Sequence, residues 1–299
     1  MSFSRRELLG TFALAANPAR LFAKGVEIGI NVPYCYSYRG LPSSADDILK
    51  YTTALGLSVV ELRSQPVEVF LGAPNSLSLE PDPNVDAAAL EKWRLAAPLD
   101  KFEQFRKKYR DASVAIQILK FDGVAQMKDA VVDYAFAAAK ALGAKALSCE
   151  VPLSRTKWLG EFAMKHKMMV GYHGHENIGA TDAFATPESW EKAMSYSRYN
   201  GINLDVGHFV AANGSSPIPF MKKYADRITH VHLTDRKRDN GPFTVWGDGD
   251  APIKEVLRFM KEKQYPFPGI IECEYPLPAG SDALKEIARC VEYCRKCLA

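Results

Sequence analysis

Five of the six histidines of this chain, with several acids, fall in four short stretches of its second half. These are Gly171-Tyr172-His173-Gly174-His175-Glu176, Asn203-Leu204-Asp205-Val206-Gly207-His208, His230-Val231-His232-Leu233-Thr234-Asp235 and Ile271-Glu272-Cys273-Glu274. Each closes an apolar run. His175, Asp205, His232 and Glu274 lie 30, 27 and 42 residues apart, about one strand-plus-helix unit each. Such spacing sets imidazoles and carboxylates at the same end of neighbouring parallel strands, which is how a barrel builds a metal site.

A strand's period of two decides which of these residues look inward. Glu272 and Glu274 share a face with Ile270; His230, His232 and Thr234 share another; so do Asn203 with Asp205, Gly171 with His173 and His175, and Ala146 with Ser148 and Glu150. Taken singly, an inward histidine or acid has a plainer explanation as a hydrogen-bonded core residue. Together at five successive strand ends, the acids would repel and desolvate at high cost unless a cation or protons neutralise them. A divalent ion is the simplest neutraliser. Mixed carboxylate and imidazole ligands suit Mn²⁺, Zn²⁺, Co²⁺ or Fe²⁺ better than Ca²⁺.

The elements that must position these residues alternate regularly. Strands are expected at Val26–Asn31, Leu57–Arg63, Ser113–Lys120, Ala144–Glu150, Met168–His173, Gly201–Asp205, Ile228–Leu233 and Gly269–Glu274. Helical patterns run over Ala45–Leu55, which Ser43 or Ser44 could cap, then Leu99–Tyr109, Ala125–Leu142, Leu153–His166, Pro187–Arg198, Pro217–Tyr224, Ile253–Lys263 and Ser281–Cys297. Eight strands alternating with eight helices predict an α/β fold, a (β/α)8 TIM barrel in a single domain. The longest connection, Ser64–Pro98, reads either as a small packed lid using Leu71, Leu77 and Trp93 or as a structureless loop. Asp239–Asp250, with Gly241, Gly247 and Gly249, reads as a second, mobile loop on the same face.

With 299 residues, of which 47% are hydrophobic, the chain can bury a full core. A formal net charge of +3, its basic residues scattered among acids, lacks the footprint of a nucleic-acid binder. Ser4-Arg5-Arg6-Glu7-Leu8-Leu9 and the apolar Gly10–Ala16 resemble a twin-arginine export signal, with cleavage after Ala23; the alternative is an amphipathic N-terminal helix. Residues 1–23 are therefore expected to be a signal segment, 24–299 the barrel, and the location periplasmic or otherwise exported. The apolar stretch is too short to span a bilayer, so no stable membrane anchor is expected. Twin-arginine substrates fold before export, which removes the expectation of disulfides among the six cysteines. Cys290, Cys294 and Cys297 share one helical face, as apolar packing or, alternatively, as a metal or redox cluster.

Tyr172-His173-Gly174-His175, Leu204-Asp205-Val206-Gly207-His208, Val231-His232-Leu233-Thr234-Asp235, Trp246-Gly247-Asp248-Gly249-Asp250 and Glu272-Cys273-Glu274-Tyr275 resemble, in order and spacing, the signature stretches of the xylose isomerase-like TIM-barrel superfamily, in its sugar phosphate isomerase/epimerase branch. The resemblance covers roughly Val26 to the C-terminus. It implies one divalent metal held by a strand-end Glu, Asp, His and Glu, with the two glutamates also moving protons. Asp205, His232 and Glu274 carry this over. On the fifth strand, where relatives supply the first glutamate, stand His173 and His175, so Glu150 is taken as its substitute and His175 as an added ligand. Glu272 is the alternative to Glu274, which is nearer the rim. Thr234 stands where relatives often have lysine.

The implied activity is a metal-dependent sugar isomerase or epimerase working through an enediolate, with Glu150 and Glu274 as acid/base pair. His173 and His208 would meet substrate hydroxyls, and Lys120 or Arg63 a negative group. Without a glycine-rich phosphate loop, a phosphorylated substrate is not inherited from the family label. The alternatives are a lyase or hydratase acting on a 3-keto-glycoside and an exported sugar-binding protein without turnover. The expected partner is a small sugar or sugar derivative, not nucleic acid; a homo-oligomer is compatible with the sequence.

Overall fold

A computed structural model of the chain describes residues 25–299. The expected export segment, residues 1–23, lies outside them. Eight parallel strands, β1 (Ile28–Val32), β2 (Val59–Arg63), β3 (Ala115–Lys120), β4 (Ala146–Cys149), β5 (Met169–His173), β6 (Asn200–Asp205), β7 (Ile228–Leu233) and β8 (Gly269–Ile271), pair in sequence order and close on themselves. Ile28 pairs with Gly269 where β1 meets β8. The expected TIM barrel is the fold.

Closure follows from the sequence pattern. Each strand is short and almost wholly buried, because one face fills the barrel and the other meets a ring of amphipathic helices. In chain order these are α1 (Tyr34–Ser37), α2 (Ala45–Ala54), α3 (Ser64–Phe70), α4 (Ala87–Leu95), α5 (Leu99–Asp111), α6 (Asp129–Leu142), α7 (Thr156–His166), α8 (Pro187–Tyr196), α9 (Val206–Asn213), α10 (Ile218–Lys223), α11 (Ile253–Lys263) and α12 (Ala283–Leu298). Ser44 caps α2 by accepting from the Asp47 amide at 3.2 Å. Gly143 ends α6 at φ 76°, the left-handed turn that lets the chain re-enter the barrel as β4.

The surplus over eight helices lies on the connections that follow the strands. The Ser64–Pro98 connection is organised: α3 and α4 sit within it, and Trp93 packs on Phe102 and Tyr134 at ring distances of 6.3 and 6.4 Å. Glu68, fully buried on α3, accepts from both Nε (2.8 Å) and Nη2 (3.0 Å) of Arg94 on α4, from Asn75 and from Tyr134. The Asp239–Asp250 loop is likewise anchored, since the Asp235 carboxylate accepts from the amides of Gly247, Gly249 and Ala251. A Cβ on Gly249 would come within 1.9 Å of that carboxylate, so the loop can wrap it only with glycine there.

β8 is shorter than the pattern predicts. The carbonyls of Cys273 and Tyr275 accept from Arg39 instead of a ladder partner, so regular pairing stops at Ile271 while the acids beyond it still point to the mouth. All six cysteines are buried and free, and Cys290, Cys294 and Cys297 pack α12 against the core. No helix among the described residues is long and apolar enough to cross a membrane.

Candidate functional site

At the C-terminal end of the barrel, β5, β6, β7 and the segment after β8 deliver His173, Asp205, His232 and Glu272 to one point. One ligand atom from each lies within 4.8 Å of the others, and all four residues are buried. The order of strands in the ring explains the convergence, since four consecutive staves each present an inward residue at the same height.

Asp205 uses Oδ1 to accept from the His208 amide (2.7 Å) and Thr234 Oγ1 (2.5 Å), while Oδ2 is buried without a partner among the described residues. His173 Nδ1 and His232 Nδ1 are likewise buried and unbonded, the latter 3.1 Å from Glu272 Oε2. Glu272 is held from its other oxygen by Asn31 Nδ2 at 2.5 Å. Unpaired buried lone pairs of this kind are rare in a folded interior, and a cation satisfies all of them together. The donor set therefore fits a divalent ion. Burial first, then the neighbouring His232 and His175, hold the His173 imidazole well below its ordinary value, which favours the neutral ring. Burial works against charge on His232, but Glu272 and Glu61 outweigh it and raise the ring to about 10.

Two other groups of donors lie equally close together: His173, His175 and His208, and Glu61, His230 and His232. In the first, Arg236 Nη1 stands 2.9 Å from His208 Nδ1 and Glu176 Oε2 2.7 Å from it, so that nitrogen is engaged and a fixed cation is adjacent. In the second, His232 Nε2 is taken by Glu61.

The residues read from the sequence divide accordingly. Of the expected ligands Glu150, His175, Asp205, His232 and Glu274, the structure brings Asp205 and His232 into the four-residue cluster and joins to them His173, expected on substrate, and Glu272, the alternative to Glu274. Glu150 turns to Lys120, which reaches it from β3, and to His175 Nε2 at 3.3 Å; His175 itself is exposed. Lys120 holds the Glu150 carboxyl far below its usual range. Burial disfavours the Lys120 ammonium, yet Glu150 more than compensates and its pKa is raised.

Glu274 receives a hydrogen bond from Tyr34 Oη at 2.6 Å and keeps Oε2 buried and unpartnered. Burial, then Glu272 and Asp205, push it up to about 7. Arg63 is bound to Asp122 at 2.7 Å and stacks its guanidinium over Tyr34, so its charge is already matched. Tyr34, Asn31, Glu61, Glu176 and Arg236 escaped the sequence reading. For Glu61 the signal was present: an acid inside the apolar run Val59-Val60-Glu61-Leu62, two residues before Arg63 and hence on its face.

Comparison with known proteins agrees with this geometry at the level of fold. An inosose dehydratase of Clostridium tetani (strain Massachusetts / E88) is 32% identical over 154 residues, 45% of this chain and 50% of that protein. One from Bacillus thuringiensis (strain Al Hakam) is 29% identical over 157 residues, 46% of this chain and 51% of its own length. The chain thus spans about half the length of the curated relatives it matches. Among solved structures, 3-keto-D-glucoside 4-epimerase from E. coli superposes with a TM-score of 0.62 over 91% of this chain and 100% of that one, at 11% identity. The IOLI protein with a bound zinc atom gives 0.61 over 91% and 97%, at 13%. Residues 135–297 match the family described as xylose isomerase-like TIM barrel, a stretch that contains every member of the four-residue cluster. With β1 to β8 closed around that cluster, the chain belongs to the xylose isomerase-like TIM-barrel family.

Proposed function

We propose that this protein moves a proton next to the carbonyl of a polyhydroxylated ketone, a keto-sugar or keto-cyclitol, and releases an epimer or isomer. The observation that carries the reading is the convergence of His173, Asp205, His232 and Glu272, the first three each with an unpartnered buried ligand atom, beside a carboxylate, Glu274, with one oxygen free. Two imidazoles and two carboxylates suit Zn²⁺, Mn²⁺, Co²⁺ or Fe²⁺. When bound, such an ion polarises the carbonyl and acidifies its neighbouring C–H.

The protein's own groups do the rest. Glu274, oriented by Tyr34 and close to neutrality in pKa, takes the α-proton on Oε2. Glu150 and Glu274 follow β4 and β8, four strands apart in a ring of eight, so they face a substrate from opposite walls. Lys120 beside Glu150 is the proton-bearing member of that far wall and returns a proton to the other face of the carbon. His208, fixed by Glu176 and Arg236, meets a substrate hydroxyl. Each cation of this mouth faces an acid, Lys120 with Glu150, Arg63 with Asp122 and Arg236 with Glu176, which supports an uncharged substrate over a phosphorylated one.

The inosose dehydratase relatives favour a second reading, in which the same deprotonation is followed by loss of the adjacent hydroxyl as water. Incubating the Mn²⁺- or Zn²⁺-loaded protein with keto-sugars and inososes in D₂O separates the two. Deuterium at the α-carbon with inverted configuration supports epimerisation; an unsaturated or dehydrated ketone supports elimination. No exchange with any polyhydroxy ketone rejects both. E274Q is expected to lower the exchange rate at least about 100-fold while one equivalent of metal stays bound.

A further inference from the structure

Glu61 takes no part in the chemistry above, yet it is fully buried in the barrel interior. An interior carboxylate is strongly disfavoured unless paired. It reaches from β2 across to β7, past the intervening β8 and β1, and places Oε2 2.5 Å from His232 Nε2 and Oε1 3.4 Å from His230 Nε2. An ionised carboxylate can only accept, so His232 Nε2 carries the proton. The Asn203 amide nitrogen, 3.2 Å from the same atom, gives one of its two N–H groups to Ser148 Oγ, and the nearer Glu61 oxygen is the stronger partner for Nε2. What remains on the ring is Nδ1, the buried unbonded nitrogen that looks toward Glu272.

We infer that Glu61 is a positioning residue of the ion site: by accepting from Nε2 it fixes His232 as the Nε2–H tautomer and turns the Nδ1 lone pair to the ion. This rests on the metal site proposed above. Carboxylates behind metal-bound imidazoles orient the ring and raise its basicity, and their loss weakens binding by about 10- to 100-fold. The alternative is a purely structural ion pair that neutralises two core imidazoles, which predicts a less stable fold with the ion affinity untouched.

Two measurements on the full chain distinguish these. Zn²⁺ affinity is read by competition with a chromophoric chelator, and the tautomer by long-range ¹H–¹⁵N correlation of ¹⁵N-histidine-labelled, Zn²⁺-loaded protein, in which only six imidazoles must be assigned. The wild-type chain should bind one equivalent and show His232 as Nε2–H. E61Q should bind about 10- to 100-fold more weakly and lose that single tautomer. Wild-type protein that binds no Zn²⁺ sinks the metal site and this inference with it. Wild-type binding with E61Q affinity within twofold and an unchanged His232 tautomer overturns the positioning role alone. Should circular dichroism show E61Q unfolded, Glu61→Asp, which keeps the charge but withdraws it from both rings, replaces it: weaker Zn²⁺ binding with a mixed His232 tautomer supports the role, and unchanged affinity and tautomer overturn it.

Discussion

Asp205 uses its two oxygens differently: Oδ1 serves the His208 amide and Thr234, while Oδ2 meets no partner among the described residues. Asp205→Asn keeps the first role by placing its carbonyl at Oδ1, and puts an NH₂ donor where the lone pair was. Bound Zn²⁺ or Mn²⁺, measured by elemental analysis after dialysis, should fall well below one equivalent, with the melting temperature of the metal-free protein nearly unchanged. Retention of a full equivalent would remove Asp205 from the site. Asp205 and His232 were legible in sequence because each ends an apolar strand. The choice between Glu272 and Glu274 was not, because period two puts both on one face; Tyr34 and Asn31, some 240 positions away in the chain, decide which acid is tied up and how.

Among the elements, the strands and the helices between them could be read from periodicity, whereas the organisation of residues 64–98 could not. Its order rests on Glu68 and Arg94, 26 residues apart and in no repeating relation. Glu68→Gln leaves the mostly buried Arg94 guanidinium uncompensated and should lower stability by about 3–5 kcal/mol in urea unfolding. A loss below about 1 kcal/mol would mean that the aromatic contacts of Trp93 hold this segment by themselves.

Glu286 plays a comparable part on α12, accepting from Tyr275, Ser281 and Arg289. Burial pushes its carboxyl up, but these donors outweigh it and its folded pKa is lowered from 4.5. A carboxylate so depressed adds stability that is present above its unfolded value and disappears as pH falls through the folded one. Thermal melts of E286Q should therefore lie below wild type at neutral pH and converge with it below pH 4.5. Parallel pH profiles would refute the assignment.

At the scale of the molecule, an ion that binds the folded barrel and not the open chain must stabilise it by mass action. Adding Zn²⁺ at about 100 times its dissociation constant should stabilise the metal-free protein by about 2.7 kcal/mol, and EDTA should reverse the gain in melting temperature. A melting temperature indifferent to both would contradict a site built into the barrel. The closed topology was legible from counting alternations. The way the first strands reach the site was not, because a contact across the interior leaves no periodic trace.

The candidate ligands occupy only positions 173 to 272, while Tyr34, Arg63, Lys120 and Glu150 line the mouth from the earlier half of the chain. Holding the ion and shaping what lies opposite it are therefore separable along the polypeptide. A chimera that exchanged the first four staves for those of another such barrel would keep its metal grip provided it preserved Asn31 and Glu61, whose side chains cross the seam to Glu272 and His232.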